Sequence, residues 1–265
     1  MDDPRNHPSG APKATTCKGP AECPKAFCEP YSSESYARHM RTKMMLTLMA
    51  GIAVAVDRRV VPLWHTHLLG GSKPQDLSGK FGADFTKSKS TKATTDYLVG
   101  ELEADLTKTP PAFPPKTSKV TVDIPSHISG AIKNIDDPAG IHQMNFNIPG
   151  EVPGNLAGGI GKDQLTCKAG AQPSPFNDER LAKGTAEVTK DAAGNLSVVP
   201  SITYTVKDTI DLCPGNCGTS LEQIATVPIS QFEATGISGD VPFTVEFPAP
   251  SASFKIPAKT SKKKP

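Results

Sequence analysis

Cys213 and Cys217 stand on either side of Pro214-Gly215-Asn216 in the stretch DTIDLCPGNCGTSLEQ, Asp208 to Gln223. Three chemistries are open to such a pair. Pro presets φ and Gly-Asn tolerates positive φ, so the three residues form a turn that can bring two cysteines within disulfide reach. Zinc is a second reading, because three intervening residues fall within the two-to-four spacing of paired zinc ligands. Free thiols are the third. The turn chemistry favours the staple, Cys213 to Cys217. Upstream, Asp208 and Asp211 offer oxygens to a hard cation such as calcium. Two carboxylates supply only part of the six to eight ligands calcium takes.

A second constellation is WHTH, with Trp64, His65 and His67. An H-x-H pair binds metal when a strand aims both imidazoles one way. On a helix, residues two apart point about 200° away from each other. The surrounding VPLWHTHLLGG reads as helix, with Pro62 at its first turn and Gly70-Gly71 at its end. The expected roles of His65 and His67 are therefore core or surface rather than ligation. Trp64, the only Trp, is expected to anchor a core. A ligand platform beside the two histidines is the alternative. No metal and no cofactor is expected. P-loop, G-x-S-x-G, H-E-x-x-H and dinucleotide fingerprints do not occur, and the glycines of AGGIGKDQ lack the strand and the Ser/Thr of a phosphate loop.

The remaining cysteines are Cys17, Cys23, Cys28 and Cys167. An even total of six without a C-x-x-C pair fits disulfides better than zinc. Disulfides imply an oxidising compartment. The opening MDDPRNHPSG lacks the basic start and apolar run of a signal peptide. The expectation is export by a route without a cleaved N-terminal leader, with a cytoplasmic free-thiol protein as the alternative. MRTKMMLTLMAGIAVAV, Met40 to Val56, has the look of a leader and makes Met40 a rival start to Met1. The simpler reading is a buried helix. Tyr36, Met40, Met44, Leu48, Ile52 and Val56 recur at steps of four, and the run is too short to span a bilayer.

With 29 basic and 27 acidic residues, the chain has no electrostatic footprint for nucleic acid apart from a short lysine-rich end. Pro and Gly, 26 and 22 residues, predict many short elements joined by turns. Residues 1–30 read as a Pro- and Cys-containing tail and 31–108 as a helical region. Within the latter, Thr91–Lys108 places Tyr97, Leu98, Leu102 and Leu106 on one side. TPPAFPPKTSK, 109–119, is a Pro-rich linker. Residues 120–250 then change to period two. SKVTVDIP and IHQMNFNIP alternate, GTAEVTK and LSVVPSITYTV flank the turn DAAGN, and VPFTVEFP is a last strand. EQIATVPISQFEATGISGD is either a short helix or a strand. A basic tail, 251–265, closes the chain. The fold class is α+β, with N-terminal helices followed by an antiparallel β-sandwich or partly open barrel.

The string VVPLWHTHLLGGSKPQDLSGKFGADF and the following STKATTDYLVGELEADL resemble segments of uncharacterised bacterial secreted and polymorphic-toxin-type proteins. These carry a Trp-x-x-aromatic-Leu-x-Gly-Gly pattern, in which His67 stands here for the aromatic residue. The resemblance covers about 45 residues and implies a bacterial source and export, as cargo or accessory of an injection system. It transfers no catalytic residue. The favoured function is a non-enzymatic interaction or structural module whose partner is another protein. One alternative is a membrane-active toxin-type protein using a helix at 36–56. The second is a hydrolase using His65, His67 and nearby carboxylates, if these converge in one pocket.

Overall fold

The computed structural model describes residues 23–52, 57–70, 73–137, 144, 146, 151–153, 156, 179–212, 217, 220 and 223–258. The described chain is α+β. Six helices are α1 (Glu34–Ile52), α2 (Val61–Leu68), α3 (Ser78–Lys87), α4 (Lys89–Lys108), α5 (Ile124–Asp136) and α6 (Gln223–Ala234). Six strands are β1 (Gln75–Asp76), β2 (Lys119–Asp123), β3 (Glu179–Lys190), β4 (Leu196–Ile210), β5 (Val241–Pro248) and β6 (Phe254–Ile256). They form one sheet in the order β1-β5-β4-β3-β2, with β6 on β4. Among the described residues this sheet is not closed, and it is of mixed direction and not purely antiparallel, because β1 joins β5 in parallel, Gln75 opposite Phe243.

The chain divides into two compact units. The first holds residues 1–84, 145–179 and 206–245, the second 85–144, 180–205 and 246–265.

In the first unit, α2 carries Pro62 in its first turn as its sequence demands, and Gly70, two residues past its end, has φ 72°. Its inward residues are Leu63, Trp64, His67 and Leu68. Within the ambiguous segment, QIATVPISQFEA (Gln223–Ala234) is helix α6. Its end is a glycine-capped stop: Gly236, at φ 77°, donates to Glu233 O at 2.8 Å, and Ile237 N donates to Phe232 O at 3.0 Å. α1 is helical; of its expected apolar stripe, Tyr36 is exposed and Met40 and Met44 are half-buried, and the side chains of Leu48, Ile52 and Val56 lie outside the described residues. Among its described side chains only Ala37 is buried, while Tyr36 is 53% and Leu46 77% exposed. The period of four drifts around a 3.6-residue helix, so Tyr36 has turned outward by the time Met40 and Met44 lie half-buried.

In the second unit, Ser88 caps α4 by accepting from Thr91 N at 3.0 Å. Leu98, Leu102 and Leu106 are buried as expected, and Tyr97 lies half-exposed. β2 pairs antiparallel with β3 over Lys119–Asp123 and Thr185–Thr189. The turn DAAGN closes the β3–β4 hairpin as read, with Asp191 Oδ1 accepting from Ala193 N and Asn195 N. Helix α5 begins at Ile124, inside the expected strand SKVTVDIP, which ends at Asp123. Asp123 caps it, Pro125 sits in its first turn, and Ile128 breaks it at φ −127°, ψ 38°. The strand expected in IHQMNFNIP falls mostly outside the described residues. Its Met144 and Phe146 are buried but not in a strand.

Candidate functional site

The polar chemistry of the first unit gathers between α2 and α6. One turn after Trp64, His67 points inward and is fully buried, with its Nε2 3.8 Å from Glu233 Oε2. Glu233, also buried, accepts from Leu212 N at 2.9 Å through the same oxygen. The backbone reinforces the seam, since Gly239 N donates to His67 O at 2.9 Å. Gly239 is packed tightly enough that even a methyl group would crowd its neighbour. A Cβ there would stand 3.3 Å from the Gly70 backbone. Ser238 and Asp240, on either side of it, are buried too. The result is an acid–base pair enclosed by two helix ends.

Trp64 is a core anchor and not a ligand platform. It is 1% exposed, donates through Nε1 to Leu156 O at 3.0 Å, and meets the His67 ring edge-on at 5.0 Å. His65 is exposed on the other side of α2. The two histidines thus diverge, and the hydrolase arrangement that required His65 and His67 in one pocket does not form. The reason is the helical angle between residues two apart.

Asp208 is buried in β4 and accepts from Thr209 N at 2.7 Å, whereas Asp211 is half-buried beyond the strand end. Among the described residues, no group of three or more His, Cys, Asp or Glu side chains could hold a metal ion.

The expected staple between Cys213 and Cys217 is overturned. Cys217 is bonded to Cys23, 194 residues earlier, with Cα atoms 5.7 Å apart. Cys213 lies outside the described residues. Cys217 is held at the foot of α6, where its carbonyl accepts from Thr226 Oγ1 at 2.7 Å. The Pro-Gly-Asn turn made the local pairing geometrically open, but an open geometry does not choose a partner. Cys28 is disulfide-bonded as well.

Sequence reasoning passed over three further groups. Arg59 lies over the Phe81 ring at 4.9 Å and bridges Asp57 and Asp84, at 2.7 and 2.8 Å. Its guanidinium holds the Asp57 carboxyl below the usual carboxylate range. In the second unit, His127 Nδ1 stands 2.7 Å from Asp105 Oδ2. The pair is partly exposed and sits beside the break in α5. Asp105 is 22 residues earlier on another helix, so no local spacing announces it. Buried Tyr204 shares a 3.0 Å hydroxyl contact with Thr95. Close by is a cavity of about 220 Å³, lined by Thr95, Val99, Ser201, Thr203, Pro248 and Pro250 among others. It carries hydroxyls but no charge.

No protein-family model, no curated protein and no solved structure matches this chain.

Proposed function

We propose that this chain is a non-enzymatic interaction or structural module of an exported bacterial protein, a cargo or accessory component of an injection system, that works where disulfides persist. The observation that carries the reading is the Cys23–Cys217 bridge. Such long-range bridges belong to oxidising compartments. The side chains singled out for chemistry support the same reading, because Trp64, His67 and Asp208 are used in interior contacts. The partner is another protein, met on the solvent face of β3 and β4. There Leu181 and Val199 are exposed among Lys183, Glu187 and Thr205. The test is crosslinking in cells of its source, comparing the natural chain with a Leu181→Asp, Lys183→Glu variant. Loss of a crosslinked protein at unchanged stability supports the reading. An identical crosslinking pattern rejects this face.

A second reading, membrane activity through α1, has one observation in its favour. Leu46 is 77% exposed on a helix that also exposes Arg38, His39 and Lys43. Basic and apolar side chains together suit an anionic lipid surface. No helix among the described residues is long and apolar enough to cross a membrane, so contact would be interfacial. Flotation with anionic vesicles tests it. Binding lost in Leu46→Asp favours the reading, and no binding by the natural chain ends it.

A further inference from the structure

The segment from Cys23 to Arg41 runs along α6 as a strap, fastened at several points. Cys23 is bonded to Cys217, before the helix begins. Cys28 N donates to Ser230 Oγ at 2.9 Å, and its Sγ lies 3.2 Å from Leu212 O. Tyr31 N donates to Thr235 Oγ1 at 2.9 Å, and its ring stacks on Phe232 with centroids 5.4 Å apart. Arg41, on α1, donates to Ile237 O just past the helix end and to Leu68 O of α2 at 3.0 Å. Apart from the Cys28 contact with Leu212, its anchors advance from 217 through 230 and 235 to 237 as the strap advances from 23 to 41. Helix α1 packs on both α2 and α6. The strap therefore lies across the seam in which His67 meets Glu233.

We propose that the strap is a disulfide-locked cover over the His67–Glu233 pair, opened by reduction. Two disulfides fasten it, Cys23–Cys217 and the one made by Cys28, and the remaining fastenings are weak one by one. A single hydrogen bond contributes about 0.5–1.5 kcal/mol net. Cys28 holds φ 58°, a left-handed conformation that a residue with a Cβ adopts only when its surroundings impose it. Of the described α1 side chains only Ala37 is buried. In the strap before α1, Phe27 and Cys28 are the other buried side chains, and an element with so few buried side chains opens at lower cost once its disulfides are reduced.

The opening step is thiol–disulfide exchange with a dithiol reductant. One thiolate of the reductant attacks a sulfur of the Cys23–Cys217 bond and forms a mixed disulfide, releasing the other cysteine as a thiolate that takes up a proton. The second thiol of the reductant then displaces the remaining cysteine. The bridge gains two electrons and two protons, and the dithiol becomes its own disulfide. A chain that passes from an oxidising to a reducing compartment would thus uncover an imidazole and a carboxylate on arrival. This inference stands on the strap's geometry and not on the function proposed above.

The test is histidine modification by diethyl pyrocarbonate, mapped by mass spectrometry on the full chain with and without dithiothreitol. In oxidised protein, exposed His39 and His65 should react and His67 should not. On reduction His67 modification should rise by about tenfold or more, as for release of a local cover. Amide exchange at Leu98, Leu102 and Leu106 of α4 should stay unchanged, reporting an intact second unit. A Cys23→Ser, Cys28→Ser, Cys217→Ser variant, which removes both disulfides of the strap, should show the reduced pattern without reductant. Should that variant not fold, the dithiothreitol comparison on the natural chain decides alone. Equal His67 reactivity in both states overturns the proposal. So does a rise that comes only together with loss of α4 protection, which would make global unfolding its cause.

Discussion

Gly184 of β3 lies so close to Ser201 of β4 that a Cβ on it would stand 2.0 Å from the Ser201 carbonyl oxygen. Its φ of 155° also lies where side chains are disfavoured. Gly184→Ala should therefore destabilise the protein by more than about 2 kcal/mol. The same change at Gly100 or Gly130 meets open space within α4 and α5. There it should stabilise by about 0.5–1 kcal/mol, because alanine is the better helix former and its unfolded chain has less freedom to lose. Urea denaturation of the three variants checks the opposite signs.

Peptide mapping without reduction should recover Cys23 linked to Cys217. The bridge closes a loop with 194 residues of separation, so Cys23→Ser should cost roughly 2–5 kcal/mol in denaturant unfolding, mainly by freeing the unfolded chain. A recovered Cys213–Cys217 peptide in its place would refute the assignment.

Burial pushes the Tyr204 phenol up to about 12, with the Thr95 hydrogen bond pulling slightly the other way. The raised value fixes the sign. Between pH 10, where an unfolded tyrosine ionises, and about 12 the unfolded state loses a proton that the folded state keeps. Stability should be untouched below that window and fall across it. Ultraviolet titration should show Tyr204 as the last of the four tyrosines to ionise, and Tyr204→Phe should flatten the alkaline loss.

Glu233 is the acceptor for Leu212 N and the neighbour of His67. Glu233→Gln keeps an oxygen for that amide and should be mild. Glu233→Leu leaves the buried N–H without its acceptor and should cost roughly 1–3 kcal/mol. Equal losses in the two variants would show that packing volume, and not the hydrogen bond, is what Glu233 supplies.

Because His65 is exposed and His67 enclosed, purified protein should hold zinc far below stoichiometry. Replacing both by Ala should leave that content unchanged. A stoichiometric metal lost in the double variant would contradict the divergent geometry.

Where the reading depended on neighbours in sequence, the residues themselves carried it. Pro62 and Gly70 bounded α2, the leucines of α4 declared their buried side at helical spacing, and DAAGN closed a hairpin between alternating strands. These are decided within a few residues, by backbone sterics and by the period of the side chains. Whatever depended on which distant surfaces meet was settled only by folding. Cys217 had a ready partner four residues away in Cys213 and bonded instead to Cys23, because docking along α6 brings Cys23 to it. The stripe of α1 was legible, but whether anything would cover Tyr36 was not. Periodicity defines a face and does not supply its neighbour. His67 could be placed on the inner side of α2, yet Glu233, 166 residues later, became its companion only when α6 settled against that helix. Pairings of this kind are long-range, and no local propensity encodes them.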